Sequence, residues 1–135
     1  MPLVELSEGE HFVLEVLRNF SFLHDFGYKN DGALIYFHER GVDYVNWHIY
    51  RQISIQWWSY EDYLCIYFYD TRGFWKRISI HDLYSYYKAG HRNNTVHSGN
   101  YADIVKENAD FMKRKLMPIV KGEKWIKELS CKVGT

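Results

Sequence analysis

A chain of 135 residues with 47% apolar and 25% charged side chains has the size and balance of one folded domain that can bury a core without disulfides or metal. No stretch approaches the roughly 20 apolar residues of a membrane-spanning helix, and a formal net charge of zero argues against a general nucleic-acid binder. The outlier is aromatic content: 12 Tyr, 8 Phe and 5 Trp make up 19% of the chain, more rings than a core of this size needs. Charge is uneven along the chain, with 4 basic and 11 acidic side chains in residues 1–70 and 13 basic and 6 acidic in residues 71–135. Either the halves interleave and the asymmetry cancels, or the surface is dipolar.

Ser7-Glu8-Gly9-Glu10 has the pattern of a helix capping box. Phe12, Val13, Val16, Leu17, Phe20 and Leu23 follow at helical spacing, and Gly27 is a natural stop. From residue 28 to 81 the period shortens. Asn30-Asp31-Gly32 signals a turn, and five strands are predicted: Ala33–Glu39, Val42–Trp47, Ile53–Trp57, Tyr63–Tyr69 and Phe74–Ile80. Arg40-Gly41, Tyr60-Glu61-Asp62 and Asp70-Thr71-Arg72-Gly73 are the turns between them. Such short links favour an antiparallel meander, with the most apolar strand, the fourth, at its centre. Leu83–Lys88 suits a helical turn and Ala89–Gly99 a polar loop. Asn100 then caps a second long helix, whose stripe is Ile104, Val105, Ala109, Met112, Leu116 and Ile119, with Lys113-Arg114-Lys115 on its solvated side. Pro118 ends or kinks it, and Glu123–Cys131 suits a short final helix. The predicted fold class is α+β, a single domain over 1–135. It has a five-stranded antiparallel meander, with an N-terminal helix and C-terminal helices packed on one face.

Strand alternation sorts side chains into two sets. Ile53, Ile55, Trp57, Leu64, Ile66, Phe68, Phe74, Ile78 and Ile80 are assigned to the core. The opposite set is Gln52, Ser54, Gln56 and Trp58, then Tyr63, Cys65, Tyr67 and Tyr69, then Trp75, Arg77, Ser79 and His81. This face is too polar for a sealed core and too aromatic for a plain solvated one. Interfaces favour Tyr, Trp and Arg, because rigid rings and a planar guanidinium give large contact areas at low entropic cost. Trp58, Tyr67, Tyr69, Trp75 and Arg77 are therefore the predicted partner-binding residues. The bland alternative is that cross-strand Tyr and Trp ladders merely stabilise an open sheet, or that C-terminal helices cover them.

Chemistry-bearing motifs are sparse. There is no GxSxG, GxGxxG, GxxxxGK or HExxH, so no catalytic residues, cofactor or metal site are predicted. The alternative is a small-molecule-binding or metal-dependent enzyme centred on His81, Asp82, His91 and His97, the one local His cluster. Cys65 reads as a buried free thiol, and a bridge to Cys131 stays open. Aromatic sheet faces can stack bases, but the element order differs from that of RNA-recognition domains and the strands carry few cations. MPLVELSEGEHF lacks the layout of a signal peptide, and a reducing, cytoplasmic location is expected.

A leading helix ending in FLHDFGY, strands containing VDYVN, ISIQWW and IYFYDTRG, then ISIHDL and a trailing helix resemble small α+β immunity-type proteins of bacterial toxin–immunity loci. The likeness is one of layout across residues 12–129, and it carries no invariant functional residue onto this chain. It implies a non-catalytic protein that neutralises a cognate toxin by binding it directly. The acidic first half or the aromatic face would serve if that toxin were a basic nuclease. A homodimer that buries the aromatic face against its twin is a further alternative.

Overall fold

The computed structural model describes residues 8–35, 39–58, 63–89 and 101–133. Helix α1 spans Glu8–Asn19, and its apolar stripe puts Phe12 and Val16 fully out of solvent. A 3-10 helix, Ser21–Phe26, follows and ends at Gly27 in the left-handed region (φ 89°). Gly27 is required twice. A side chain there would be strained by the positive φ, and its Cβ would lie 2.9 Å from the amide nitrogen of Asn46. That amide donates to the Phe26 carbonyl at 2.9 Å, which pins the helical turn to the sheet.

The sheet is a six-stranded antiparallel meander in chain order: β1 Lys29–Ile35, β2 Glu39–Asn46, β3 Arg51–Trp58, β4 Tyr63–Asp70, β5 Lys76–Ser79 and β6 Cys131–Lys132. The α+β class and the meander match the sequence reading; the strand count does not. The sixth strand is built from the end of the segment expected to be a final helix. Only Lys127–Leu129 of that segment is helical, as a single 3-10 turn, before Cys131 and Lys132 pair with Arg77 and Lys76. Two predicted turns also lie inside strands. Asn30–Gly32 falls in β1, where the register shifts between Asn30 and Ala33 as in a β-bulge, and Arg40-Gly41 falls in β2. The predicted Tyr60-Glu61-Asp62 turn, the Ser7 and Asn100 caps and most of the 89–99 loop lie outside the described residues.

Beyond β5 the chain turns directly into helix α2, Ile80–Tyr86, capped by Ser79, whose hydroxyl accepts from the His81 N–H at 3.1 Å. Helix α3, Tyr101–Phe111, runs into a π-helical turn at Met112–Leu116 and then into a last turn, α4, Met117–Val120. The expected disturbance at Pro118 is present, and it is spread over the preceding turn. Pro118 has no N–H for a carbonyl one helical turn back, and it sits in the first turn of α4, where a missing donor costs least.

The helices pack on one face of the sheet, α1 against β1, β2 and α3, and α2 against β4 and β5. Phe12, Phe20, Leu23, Val105, Phe111 and Leu116 meet Ile53, Ile55, Leu64, Ile66, Phe68 and Ile78, all at most 1% exposed. Each such side chain contributes roughly 1.5–3 kcal/mol on leaving water. Of the residues assigned to this core, Phe74 is the exception. It lies in the loop before β5, where alternation no longer governs direction, and is 83% exposed. The C-terminal segment is fastened to β3 through Arg51, which is 2% exposed. Its Nε donates to the Ile119 carbonyl and its Nη2 to the Lys124 carbonyl, both at 3.3 Å, while the guanidinium lies 4.9 Å from the Trp125 ring centre.

Candidate interaction surface

The sheet face turned away from the helices is set by β3, β4 and β5. Their alternation places Trp57 in the core and leaves Trp58 half-buried on the other side. Along β4, Leu64, Ile66 and Phe68 are buried, while Tyr63, Cys65, Tyr67 and Tyr69 are half-buried. None of these last four side chains is sealed off from solvent.

Four of the five predicted binding residues come together. The Trp75 and Tyr69 ring centres are 5.9 Å apart and those of Tyr69 and Tyr67 are 6.4 Å apart; the Arg77 guanidinium carbon lies 4.7 Å from the centre of the Tyr67 ring. Register explains the grouping, since Tyr69 pairs with Arg77 and Tyr67 with Ser79 across β4 and β5. Trp58 stands apart. It pairs with Tyr63, four residues from Tyr67, or about 13 Å along the strand. There its Nε1 donates to Gln56 at 2.9 Å, and Tyr63 stacks on His81 with ring centres 5.2 Å apart.

Burial raises the Tyr67 phenol to about 12, helped by Cys65 alongside and opposed by Arg77. Burial likewise raises Tyr69, with Arg77 opposing. For Arg77 burial works against the charge, but Cys131 and the two phenols outweigh it and its affinity for the proton is raised. At neutral pH the group is therefore two neutral phenols, an indole and a fixed cation. Such a set can stack, donate hydrogen bonds and pair with an anion.

Of the alternative His cluster, His81 and Asp82 lie in the first turn of α2, and His91 and His97 are outside the described residues. Among the described residues, no group of three or more His, Cys, Asp or Glu side chains is placed to hold a metal ion. Neither Cys65 nor Cys131 forms a disulfide. Cys131 pairs with Arg77, two strands across and four residues along from Cys65, a separation of roughly 16 Å. A disulfide needs Cα atoms within about 7 Å, so the bridge left open by the sequence cannot form in this fold. No described helix is long and apolar enough to cross a membrane.

Apart from Trp75, the aromatic residues exposed at the end of the sheet were missed by sequence reasoning. The β2–β3 turn exposes Trp47 (58%) and Tyr50 (49%), and the β4–β5 loop exposes Phe74 and Trp75 (36%). The two connections are joined by a hydrogen bond from the Thr71 N–H to the Tyr50 carbonyl at 3.0 Å. Arg72 reaches from one to the other, 5.9 Å from the Tyr50 ring centre. The available signal was aromatic residues set directly beside turn formers, as in Arg72-Gly73-Phe74-Trp75.

A scan against protein-family models finds no match to this chain, and searches of curated proteins and of solved structures find none either.

Proposed function

We propose that this chain is a protein-binding domain that holds its partner on the open face of the sheet, and that it acts as an immunity-type inhibitor of a bacterial toxin. The supporting observation is the Trp75–Tyr69–Tyr67–Arg77 group, half-exposed on the face opposite the helical layer. Rigid rings and one oriented guanidinium on a sheet give a partner contact area that loses little entropy on binding. The role as a toxin inhibitor draws on the layout shared with immunity-type proteins. Inhibition needs only that the complex cover the toxin's working surface, and the chain itself has no bond to make or break.

The test begins with the reading frame beside this one. Its product is co-expressed with the chain, and the mixture is resolved by size exclusion and titration calorimetry. A stoichiometric complex that relieves growth arrest is the expected result. Tyr67→Ala and Trp75→Ala should each weaken it by about 2 kcal/mol, or roughly thirtyfold in Kd. Unchanged affinity in both variants would show that the partner binds elsewhere.

A further inference from the structure

Among the described residues, the two lysines at the β5–β6 edge of the sheet have no ion-pair partner. Lys76 and Lys132 are directly opposite in this last strand pair, so their side chains leave the same side of the ladder a few ångströms apart. Both are exposed. The carboxylate closest in register is Asp70, opposite Lys76 on β4. It is committed elsewhere: its Oδ2 lies 3.3 Å from Arg72 Nη2 and its Oδ1 3.8 Å from Arg51 Nη1. Asp43 is three strands away on β2.

Two like charges placed opposite each other destabilise a ladder, and β6 is only two residues long, so the chain has little pairing energy with which to offset that cost. Beside this pair stands Phe74, 83% exposed, with Lys132 Nζ 6.0 Å from its ring centre and Arg72 two residues before it. An exposed ring beside Lys132, with Lys76 opposite that lysine and the Asp70-paired Arg72 two residues before the ring, has the make-up of a docking point for an apolar side chain with carboxylates around it.

We infer that the Arg72–Phe74–Lys76–Lys132 corner is an electrostatic docking site for an acidic protein segment, whose carboxylates complete the lysine pair and whose apolar side chain covers Phe74. The inference rests on the protein-binding reading and deepens it. It also reverses the polarity that the acidic first half suggests, because the partner surface that meets this corner is acidic. A single-stranded nucleic acid can stack a base on Phe74 as well as pair its phosphates with the lysines, but phosphate binding depends on clustered cations, and this chain has a formal net charge of zero and only a pair of lysines at this corner. The acidic protein segment uses both features.

The probe is a short synthetic peptide of alternating Asp, Glu and Leu, added to the isotope-labelled chain and followed by amide chemical shifts. Perturbations are expected at Arg72, Phe74, Lys76, Cys131 and Lys132, with Lys132 the diagnostic position on β6, and binding should weaken as salt is raised. The charge-reversed double variant Lys76→Glu/Lys132→Glu should lose about tenfold or more in peptide affinity. Lys132→Glu alone, which converts the repelling pair into an attracting one, serves as the folded control and should keep a thermal midpoint no lower than that of the parent chain. The inference is overturned if the peptide does not bind, if its shifts fall instead on Lys113–Lys115, or if the double variant binds it equally well. Tighter binding of an oligothymidylate than of the peptide overturns it in favour of nucleic acid. None of these results touches the sheet-face reading, which stands or falls on Tyr67→Ala and Trp75→Ala in the co-expression assay.

Discussion

Arg51 shows what keeps a charge inside this protein. Burial lowers its affinity for the proton, and Asp70 opposes that effect. The guanidinium is held by carbonyls of Ile119 and Lys124, 68 and 73 residues further along the chain. Removing it would leave those acceptors in the interior without a donor, so Arg51→Ala should cost about 3 kcal/mol of stability, read from the urea midpoint. A loss under about 1 kcal/mol would mean that water reaches the site and replaces the side chain. Tyr50 poses the opposite case. Its φ of 57° puts a bulky side chain in the left-handed region, which costs an L-residue roughly 1–2 kcal/mol. Asn tolerates that conformation, so Tyr50→Asn should raise stability by about 0.5–1 kcal/mol, less whatever the Arg72 contact contributes. If the variant is also impaired in partner binding, the strain is held in place by function. Neither residue announced its role in the sequence. Arg51 merely precedes an alternating strand, and its partners become neighbours only when the C-terminal segment folds back.

At the scale of elements, the alternating segments were legible and the edges were not. β4 follows the predicted alternation throughout and β3 does so except at Ser54, assigned to the open face but buried, because a half-buried strand imposes a period of two on its side chains. β6 has two residues and no period to read. It exists because β5 presents a free edge whose backbone groups need partners, and Cys131, Lys132 and the Val133 N–H, which donates to the Trp75 carbonyl at 2.9 Å, supply them. The opposed lysines make this edge the weakest part of the ladder. Lys132→Glu should stabilise the chain by a few tenths of a kcal/mol, an advantage that fades as salt is added. No change at low salt would show that the two ammonium groups already avoid each other. The edge also sets thiol reactivity. Cys131 is exposed and Cys65 is half-buried, so a limiting dose of iodoacetamide on the native chain should modify Cys131 first, as read by peptide mass mapping.

For the molecule as a whole, the many tyrosines tie stability to alkaline pH. Burial raises the phenols of Tyr28, Tyr44, Tyr67 and Tyr69 above the ordinary 10.0, Tyr67 to about 12. A raised folded-state pKa means that the native chain holds these protons more tightly than the unfolded one. Their contribution is therefore complete below about pH 10 and is lost as pH rises from about 10 through 12 and beyond. As far as the phenols are concerned, thermal midpoints should be flat from neutral pH to about pH 10 and fall above it, with part of the phenolate absorbance appearing only on unfolding. All 12 tyrosines ionising together near pH 10 in the folded chain would contradict the burial described here. By itself the sequence determined the class of fold, the meander and the in-or-out sense of most strand residues, because those follow from local periodicity that every residue in a strand or helix must obey. Tertiary structure alone decided that Tyr67, Tyr69, Trp75 and Arg77 form one group while Trp58 stands about 13 Å away, since strand register sets those distances. It also decided that Phe74 points into solvent and that Lys76 meets Lys132. Loops have no period, and an edge pairing joins segments whose separation along the chain carries no signal of their contact.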